Sequence, residues 1–158
     1  MEFLDTNILV YCHDPRDAAK RERAEALLAS LMERGRLVLS AQVLLEFYNV
    51  MLAKRLRTAA ESETLCRLWA SFEVVPTTAD MVLRALGLQQ RHQLSVWDAM
   101  VIQAALDAGC GVLYTEDLQH GQRFGDLEIV NPFLQPAAVH EPAAKYAVRK
   151  PAVRGARH

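Results

Sequence analysis

The 158-residue chain lacks any apolar run long enough to cross a membrane. A membrane-spanning helix needs about 18 or more consecutive apolar residues, and no segment of the sequence approaches that length. The first residues also lack the basic segment followed by a longer apolar one that marks a secretory signal peptide. These absences predict a cytoplasmic protein with no membrane partner.

Cysteine is scarce, and its spacing does not suit a zinc site. The three cysteines, Cys12, Cys66 and Cys110, form neither a Cys-x-x-Cys pair nor a cluster with histidine. An odd number of isolated cysteines is typical of reduced thiols in a cytosolic protein. The sequence also has no GxxxxGK(S/T) segment, which excludes a P-loop nucleoside triphosphatase.

The net charge is small, at −1, but it is unevenly distributed. From residue 136 onward five basic side chains stand against one acidic side chain, so this end carries +4 and the remainder −5. An acidic body argues against a broad basic surface for nucleic acid, although a metal-bridged contact is still compatible with it. Length and composition predict one globular domain over residues 1–135 and a basic, disordered tail over residues 136–158.

Short apolar strands alternate with helical patterns along the chain. The predicted strands are residues 2–4, with 8–11 continuing the first strand, then 37–39, 74–75, 111–114 and 127–130. Strands that alternate with helices pair in parallel through right-handed crossovers. The pattern therefore predicts an α/β fold, a three-layer αβα sandwich with a central, mainly parallel sheet.

Polar capping residues mark where the helices begin. Helix starts are predicted at Asp14-Pro15, at Ser40, at a capping box of Thr58 and Glu61, at Thr78 and at Ser95. The helix after Ser95 carries apolar residues at helical spacing. We expect Trp97, in this helix, to lie in the core.

Two clusters of basic residues flank the predicted helices. They are Arg16, Lys20, Arg21 and Arg23 near the start of the first long helix, and Lys54, Arg55 and Arg57 at the end of a later one. The first cluster is either a solvated face or a patch that steers phosphate groups. The second lies at a helix end, where the helix dipole alone accounts for it.

Four acidic residues occupy equivalent places at the ends of strands and the starts of helices: Asp5, Glu46, Asp98 and Asp117. In a parallel α/β sheet such places meet at one edge, beyond the carboxyl ends of the strands, where ligands bind. Carboxylates held together repel one another, and a hard divalent cation relieves that repulsion. Because such a cation can activate a water for attack on a phosphodiester, the pattern predicts metal-dependent hydrolysis.

Each acid taken alone also has a structural explanation. Asp5 can cap a turn, Asp98 can belong to the Ser95 cap, and Asp117 can be a turn residue. Glu46 differs, because it lies in an otherwise apolar helix where an unpaired carboxylate is costly to bury. The four positions together favour a site over four separate structural roles.

The four acids lie in four short motifs: FLDTNIL at residues 3–9, SAQVLLEF at residues 40–47, LSVWDA at residues 94–99 and YTEDL at residues 114–118. These motifs resemble those of PIN-domain nucleases. Each motif contributes one of the four acids, in the order and spacing of the family, over residues 1–135. Within the family the chain most resembles VapC-type toxins of VapBC toxin–antitoxin systems.

The resemblance implies a PIN-like fold and a Mg²⁺- or Mn²⁺-dependent endoribonuclease that is the toxin of a type II toxin–antitoxin pair. In such an enzyme a metal-activated water hydrolyses RNA phosphodiesters. The implied partners are the RNA substrate, a cognate antitoxin protein and a second copy of the chain in a homodimer. Two other functions stay open: a housekeeping PIN nuclease in RNA processing, and a non-catalytic PIN-like scaffold that binds RNA or protein.

By the same resemblance the four acids have unequal roles. Asp5 and Asp98 are the expected principal metal ligands. Glu46 is expected to complete the metal shell or to position the attacking water. Asp117 is expected to add a further ligand.

Three further side chains are expected to support the acids. Asn7 and Thr115 are expected to orient them through hydrogen bonds. Glu116 is an alternative to Asp117 as the functional acid, although strand alternation turns the two side chains in opposite directions.

Overall fold

The computed structural model describes residues 1–134, which form one six-stranded sheet and six helices. The predicted basic tail over residues 136–158 lies outside the described residues. Cys12, Cys66 and Cys110 form no disulfide with one another. Within residues 1–134 no helix is both long enough and apolar enough to cross a membrane.

The strands are short and mostly parallel. In chain order they are β1 (Glu2–Leu4), β2 (Leu37–Ser40), β3 (Glu73–Val75), β4 (Val112–Tyr114), β5 (Arg123–Phe124) and β6 (Leu127–Val130). Their spatial order is β3-β2-β1-β4-β6-β5, and the β5–β6 pair alone is antiparallel in this sheet. The prediction of an α/β fold with a mainly parallel sheet is confirmed.

Helices connect the parallel strands and cover the sheet. They are α1 (Thr6–Tyr11), α2 (Ala18–Glu33), α3 (Ala41–Ala53), α4 (Ala59–Trp69), α5 (Ala79–His92) and α6 (Val96–Asp107). β1 and β2 are buried along their whole length. Strands buried on both faces need helices on both sides of the sheet, which gives the predicted three-layer sandwich.

Four of the predicted helix caps form as expected. The side-chain oxygens of Ser40, Thr58, Thr78 and Ser95 each accept a hydrogen bond from the backbone N–H three residues later. Each cap satisfies a backbone donor that the helix itself leaves unpaired, an interaction that contributes about 1 kcal/mol. The capping box of Thr58 with Glu61 is complete in both directions. Local sequence therefore determines where α3 to α6 begin.

The prediction that residues 8–11 continue the first strand is wrong. They belong to the helix α1, which follows β1 after a single residue. That residue, Asp5, caps α1 by accepting a hydrogen bond of 2.7 Å from the N–H of Thr6. A run of four apolar residues fits a strand and a buried helix equally well, so periodicity could not distinguish them.

The first long helix begins later than predicted. α2 starts at Ala18, and its cap is Asp17, whose carboxylate accepts a hydrogen bond from the N–H of Lys20. The predicted cap, Asp14, instead binds the guanidinium of Arg16 through both carboxylate oxygens. Asp14 and Asp17 can both cap a helix, so the sequence alone does not distinguish them. Asp14 binds Arg16 instead, and Asp17 is the cap.

β5 was not predicted, because two residues are too few to show a strand periodicity. It joins β6 through a two-residue turn in which Gly125 has a φ of 60°. A positive φ at this position suits a β-hairpin and favours glycine.

Trp97 does not lie in the core, contrary to the prediction, but is 66% exposed. It is the second residue of α6, whose continuously buried segment begins only at Ala99 and ends at Ala105. The first turn of the helix thus projects beyond the packed layer, at the same edge of the sheet as the carboxyl ends of the strands.

The sheet has a switch point beside its first strand. β1 lies between β2 and β4, so the chain extends to one side of β1 first and to the other side later. The crevice beyond the carboxyl ends of two such strands is where ligands bind in open α/β sheets. Asp5 follows β1, and its N–H donates to the carbonyl of Tyr114 at the end of β4 (3.0 Å).

Candidate active site

The fold brings all four predicted acids to the wall of one pocket. Asp5, Glu46, Asp98 and Asp117 line a space of about 220 Å³ beyond the carboxyl ends of β1 and β4. They come from four different segments: the end of β1, the second turn of α3, the first turn of α6 and the loop after β4. The expectation that they meet at one sheet edge therefore agrees with the geometry.

Asp5 is the most buried of the four acids, with 7% of its surface exposed. Its Oδ1 accepts the hydrogen bond from the Thr6 N–H, and its Oδ2 accepts one from the Thr115 hydroxyl (2.8 Å). The structural explanation weighed for Asp5, that it caps a turn, is thus also true. The same carboxylate caps α1 and faces the pocket.

The Thr115 hydroxyl fixes the direction of the hydrogen bonds around Asp5. It accepts bonds from the side chain of Asn7 (3.2 Å) and from the N–H of Asp117 (3.1 Å). A hydroxyl accepts two hydrogen bonds and donates one, so this one must donate to Asp5. Thr115 can therefore donate a hydrogen bond to a carboxylate at position 5, but it cannot accept one from residue 5.

Asn7 links the two strand ends. Its Nδ2 donates to Thr115 and to Oδ2 of Asp117 (2.9 Å). Its Oδ1 is buried and accepts no hydrogen bond from the described residues. An unpaired buried carbonyl oxygen is costly, and a ligand that binds oxygen removes that cost.

Glu46 is partly buried, and both of its oxygens are occupied. Oε2 accepts a hydrogen bond from the Thr6 hydroxyl (3.0 Å), and Oε1 accepts one from Nε2 of Gln42, one helical turn earlier (2.8 Å). The expected cost of burying this carboxylate in an apolar helix is offset by these two bonds. Its orientation toward the pocket is thereby fixed.

Asp98 is held only through its backbone. Its N–H donates to the Ser95 cap (3.0 Å), as the sequence predicted, while its carboxylate accepts no hydrogen bond from residues 1–134. The carboxylate is half-buried and lies in the wall of the pocket. Among the four acids it is the one with neither oxygen hydrogen-bonded to residues 1–134.

The pKa of Asp5 is raised, chiefly because the carboxyl is buried. Burial, and to a lesser extent the neighbouring carboxylates of Asp117 and Glu46, raise the pKa of Asp5 to about 6, against the hydrogen bonds from Thr115 and Thr6. A carboxyl group that is shielded from water and lies near other carboxylates favours its neutral form. A cation in the pocket reverses that preference.

Glu116 has protein partners that Asp117 lacks. Its carboxylate accepts hydrogen bonds from the Tyr11 hydroxyl (2.6 Å) and from the ammonium of Lys20 (2.7 Å). Lys20 also lies over the rings of Tyr11 and Phe133, and its hydrogen bond to Glu116 raises its pKa. These contacts neutralise Glu116 within the protein and favour Asp117 as the acid that is available to a ligand.

The first basic cluster is engaged in the same kind of internal contact. Each of its four members has a partner: Arg16 with Asp14, Lys20 with Glu116, Arg21 with Glu25, and Arg23 with the carbonyl of Phe133. These pairings favour the structural interpretation of the cluster over phosphate steering.

The donor set fits a hard divalent cation. Carboxylate and amide oxygens are the ligands that Mg²⁺ and Mn²⁺ prefer, and the wall of the pocket contains the four acids and Asn7. No three His, Cys, Asp or Glu side chains of residues 1–134 converge closely enough to enclose an ion by themselves. Mg²⁺ commonly keeps several waters and takes one or two carboxylates directly, which suits acids spread around a pocket.

Sequence reasoning missed three side chains that hold the site together. Gln42 could have been found, because it lies four residues before Glu46 on the same helix face. Thr6 was hidden by the assignment of its neighbours to a strand. The contact of Tyr11 with Glu116 joins residues 105 positions apart, and no local sequence pattern predicts it.

The fold resembles solved toxin structures. VapC20 from Mycobacterium tuberculosis, a toxin that cleaves the sarcin–ricin loop, superposes with a TM-score of 0.63 at 24% identity, over 74% of this chain and 92% of that one. A toxin–antitoxin complex from Klebsiella pneumoniae gives 0.64 at 17% identity, covering 84% and 98%. VapBC2 from Rickettsia felis, bound to a DNA fragment from its promoter, gives 0.59 at 16% identity, covering 81% and 96%.

At these identities the likeness shows a shared fold. A comparison with curated protein sequences finds no significant match. The sequence profile of the PIN domain matches residues 3–123, a span that begins within β1 and contains all four acids of the pocket. The chain therefore belongs to the PIN-domain family.

Proposed function

We propose that this protein is a Mg²⁺- or Mn²⁺-dependent endoribonuclease and the toxin of a type II toxin–antitoxin pair. The observation that carries the proposal is the single pocket lined by four carboxylates, one of them buried with its pKa raised to about 6. Such a pocket repels an anionic phosphodiester unless a cation lies between them. Membership of the PIN family and the likeness to toxin structures support the choice of RNA.

The residues of the pocket would have different roles in hydrolysis. A bound divalent cation would polarise the phosphoryl oxygen and lower the pKa of a water. Asp5 and Asp98 would hold it, one carboxylate fixed by two hydrogen bonds and the other open to the pocket. Asp117 would add an oxygen ligand, oriented by Asn7. Glu46, held by two hydrogen bonds, would position the attacking water.

The proposed partners are RNA, a cognate antitoxin and a second copy of the chain. Support for the antitoxin comes from the solved neighbours, two of which are toxin–antitoxin assemblies. Support for RNA comes from the M. tuberculosis neighbour, which cleaves the sarcin–ricin loop. The cytoplasm, where RNA is found, is the proposed location.

Mapping the ends of RNA cut by the purified protein tests the proposal. With Mg²⁺ or Mn²⁺ we expect discrete internal cuts in total RNA, and we expect none with EDTA. Asp98→Asn should lower the cleavage rate by more than about a hundredfold, because changes even in outer-shell groups of metal sites cost 10- to 100-fold. Asp126→Asn, in the exposed β5–β6 turn, is the matched control and should cut normally.

Intact RNA after incubation of the folded wild-type protein with either metal would contradict the proposed activity. Expression in cells then separates the toxin from a housekeeping nuclease. Growth arrest by the wild type, and its absence with Asp98→Asn, is expected of a toxin. Cleavage in vitro without growth arrest would favour a housekeeping role in RNA processing.

Asp117→Asn should lower kcat about 10- to 100-fold, whereas Glu116→Gln should change it by less than about tenfold. The reason is that Glu116 is already bound to Lys20 and Tyr11, while Asp117 faces the shared pocket. Glu116→Gln instead should lower the free energy of unfolding by up to about 1 kcal/mol, as loss of a partly exposed ion pair does. Cleavage rates and thermal melts of both variants check this, and the reverse order of rates would assign the function to Glu116.

A further inference from the structure

The pocket that holds the four acids adjoins a second pocket, and neither is an enclosed cavity. The two pockets, of about 220 and 320 Å³, share Thr6, Asn7, Glu46 and Asp117 in their walls. We call these two pockets together the acid cleft. An extended polymer that occupied both pockets would pass the acids of the shared wall, Glu46 and Asp117.

The two pockets differ in chemistry. One is bordered by Trp97, and the other by Tyr11, Lys54 and Glu116. In the second pocket Tyr11 and Glu116 bind each other and Lys20, so it is polar and charged. The first pocket is bordered by the exposed Trp97, which has no role in the proposed hydrolysis.

Trp97 is unusual because of where it lies, and its exposure alone would not be notable. It is 66% exposed, whereas the other tryptophan, Trp69, is 4% exposed and packs against Phe47 and Phe72. Single exposed apolar residues are common and need no explanation. This one, however, borders the pocket that holds the four carboxylates.

The position of Trp97 is fixed relative to the acids. It immediately precedes Asp98 in the capped first turn of α6. The amide of Gln42 donates to Glu46 (2.8 Å) and approaches the Trp97 carbonyl (3.4 Å). The backbone that carries the indole is therefore attached to the same side chain that orients one of the acids.

We propose that Trp97 is a stacking platform for a base of single-stranded RNA, next to the phosphodiester that is cut. The inference rests on the proposed function and names how that site holds its substrate. Acidic walls repel the phosphates of RNA, so affinity has to come from the bound cation and from the uncharged bases. An indole face supplies the latter, and stacking tolerates every base.

Trp97 is in this proposal a positioning residue. Its contact with a base beside the reacting phosphate is made equally in the bound substrate and in the transition state. Removing such a contact raises KM and leaves kcat nearly unchanged. Removing an acid of the cleft lowers kcat, so kinetics can distinguish the two roles.

Tryptophan fluorescence tests the stacking directly, because Trp97 is the exposed indole and Trp69 is the buried one. Glu46→Gln should slow cleavage and keep Asp5, Asp98 and Asp117 for the cation, so binding can be titrated with Mg²⁺ present. A mixed-sequence single-stranded RNA of ten nucleotides should quench the emission and saturate. An abasic strand of the same length should quench far less. Adding Trp97→Phe to the Glu46→Gln protein should remove the quenching.

The kinetic arm uses otherwise wild-type protein. Trp97→Ala should raise KM about tenfold or more, as loss of a base stack does, with kcat changed little. Trp97→Phe should restore most of the affinity. Leu45→Ala, which removes another exposed apolar side chain (71% exposed), is the matched control and should leave KM unchanged. Melting temperatures confirm that each variant is folded.

The outcomes separate this inference from the proposed function. If RNA saturates the protein without changing the Trp97 emission, or if Trp97→Ala keeps the wild-type KM, the inference is wrong and the nuclease stands. If the wild type neither binds nor cuts RNA, both are wrong. If Trp97→Ala only converts a dimer into a monomer in light scattering and RNA affinity is kept, the indole is a subunit contact instead.

Discussion

Asp5→Asn is expected to lower RNA cleavage by more than about a hundredfold while the protein stays folded. Asp5 is the acid that the fold holds most rigidly, with both carboxylate oxygens hydrogen-bonded at the end of β1. Asparagine has nearly the same shape but offers one oxygen and no charge. It therefore removes a cation ligand without opening a cavity in the core.

The hydrogen bonds around Asp5 make this variant informative. The Thr115 hydroxyl can only donate toward residue 5, so the asparagine oxygen must face Thr115. The new amide group then meets the N–H of Thr6, and the cap of α1 is weakened. The expected structural cost is that of one cap, about 1 kcal/mol.

Cleavage rates with saturating Mg²⁺, measured beside circular dichroism spectra, check the result. Asp126→Asn, which removes an acid in the exposed β5–β6 turn, should retain the wild-type rate. A folded Asp5→Asn protein that cuts RNA at a wild-type rate would contradict the assignment of Asp5 to the metal.

In EDTA the contribution of Asp5 to the free energy of unfolding, measured as wild type minus Asp5→Asn, is expected to fall as pH rises from about 4 to 6, and then to level off. The pKa of Asp5 is about 6 in the folded protein against 3.8 for an ordinary aspartate, chiefly because the carboxyl is buried. Between these values the folded protein binds the proton and the unfolded chain does not. Raising the pH therefore favours the unfolded chain.

The size of the effect follows from the shift in pKa. A difference of about two pKa units corresponds to about 3 kcal/mol, which is an upper limit for one group. Asp5→Asn should remove this pH dependence. After the cost of the weakened cap, the variant should be more stable than the wild type by about 1–2 kcal/mol at pH 7.5.

Adding Mg²⁺ should reverse the order at pH 7.5. A ligand that binds only the folded protein stabilises it, by about 2.7 kcal/mol at a hundred times its Kd, and the Asp5→Asn protein should gain much less. Urea unfolding at several pH values, with EDTA or with Mg²⁺, measures all of these terms. Equal pH slopes for the two proteins in EDTA would show that Asp5 is not the titrating group.

Most of the fold could be predicted from local sequence. The capping residues Ser40, Thr58, Thr78 and Ser95 each form the predicted cap, because a hydroxyl three residues before a backbone donor is a local arrangement. The alternation of strands and helices gave the parallel sheet. Errors occurred where local signals are degenerate: a four-residue apolar run at 8–11 and a two-residue strand.

The four acids could be found from sequence because each lies at a strand end or in the early turns of a helix, and a parallel sheet places such positions at one edge. Their surroundings could not. The partners of Glu116 come from α1 and α2, far along the chain, and the exposure of Trp97 depends on where α6 leaves the packed layer.

The sequence by itself determined the element order, the edge at which the acids gather and the family to which the chain belongs. Only the tertiary structure decided how the acids differ. Asp5 is buried and accepts two hydrogen bonds, the carboxylate of Asp98 is open to the pocket, and Glu116 forms an ion pair with Lys20. The physical reason is the distance along the chain over which each interaction acts. Caps and periodicity act within a few residues, whereas desolvation, repulsion and ion pairing depend on neighbours that only the folded chain brings together.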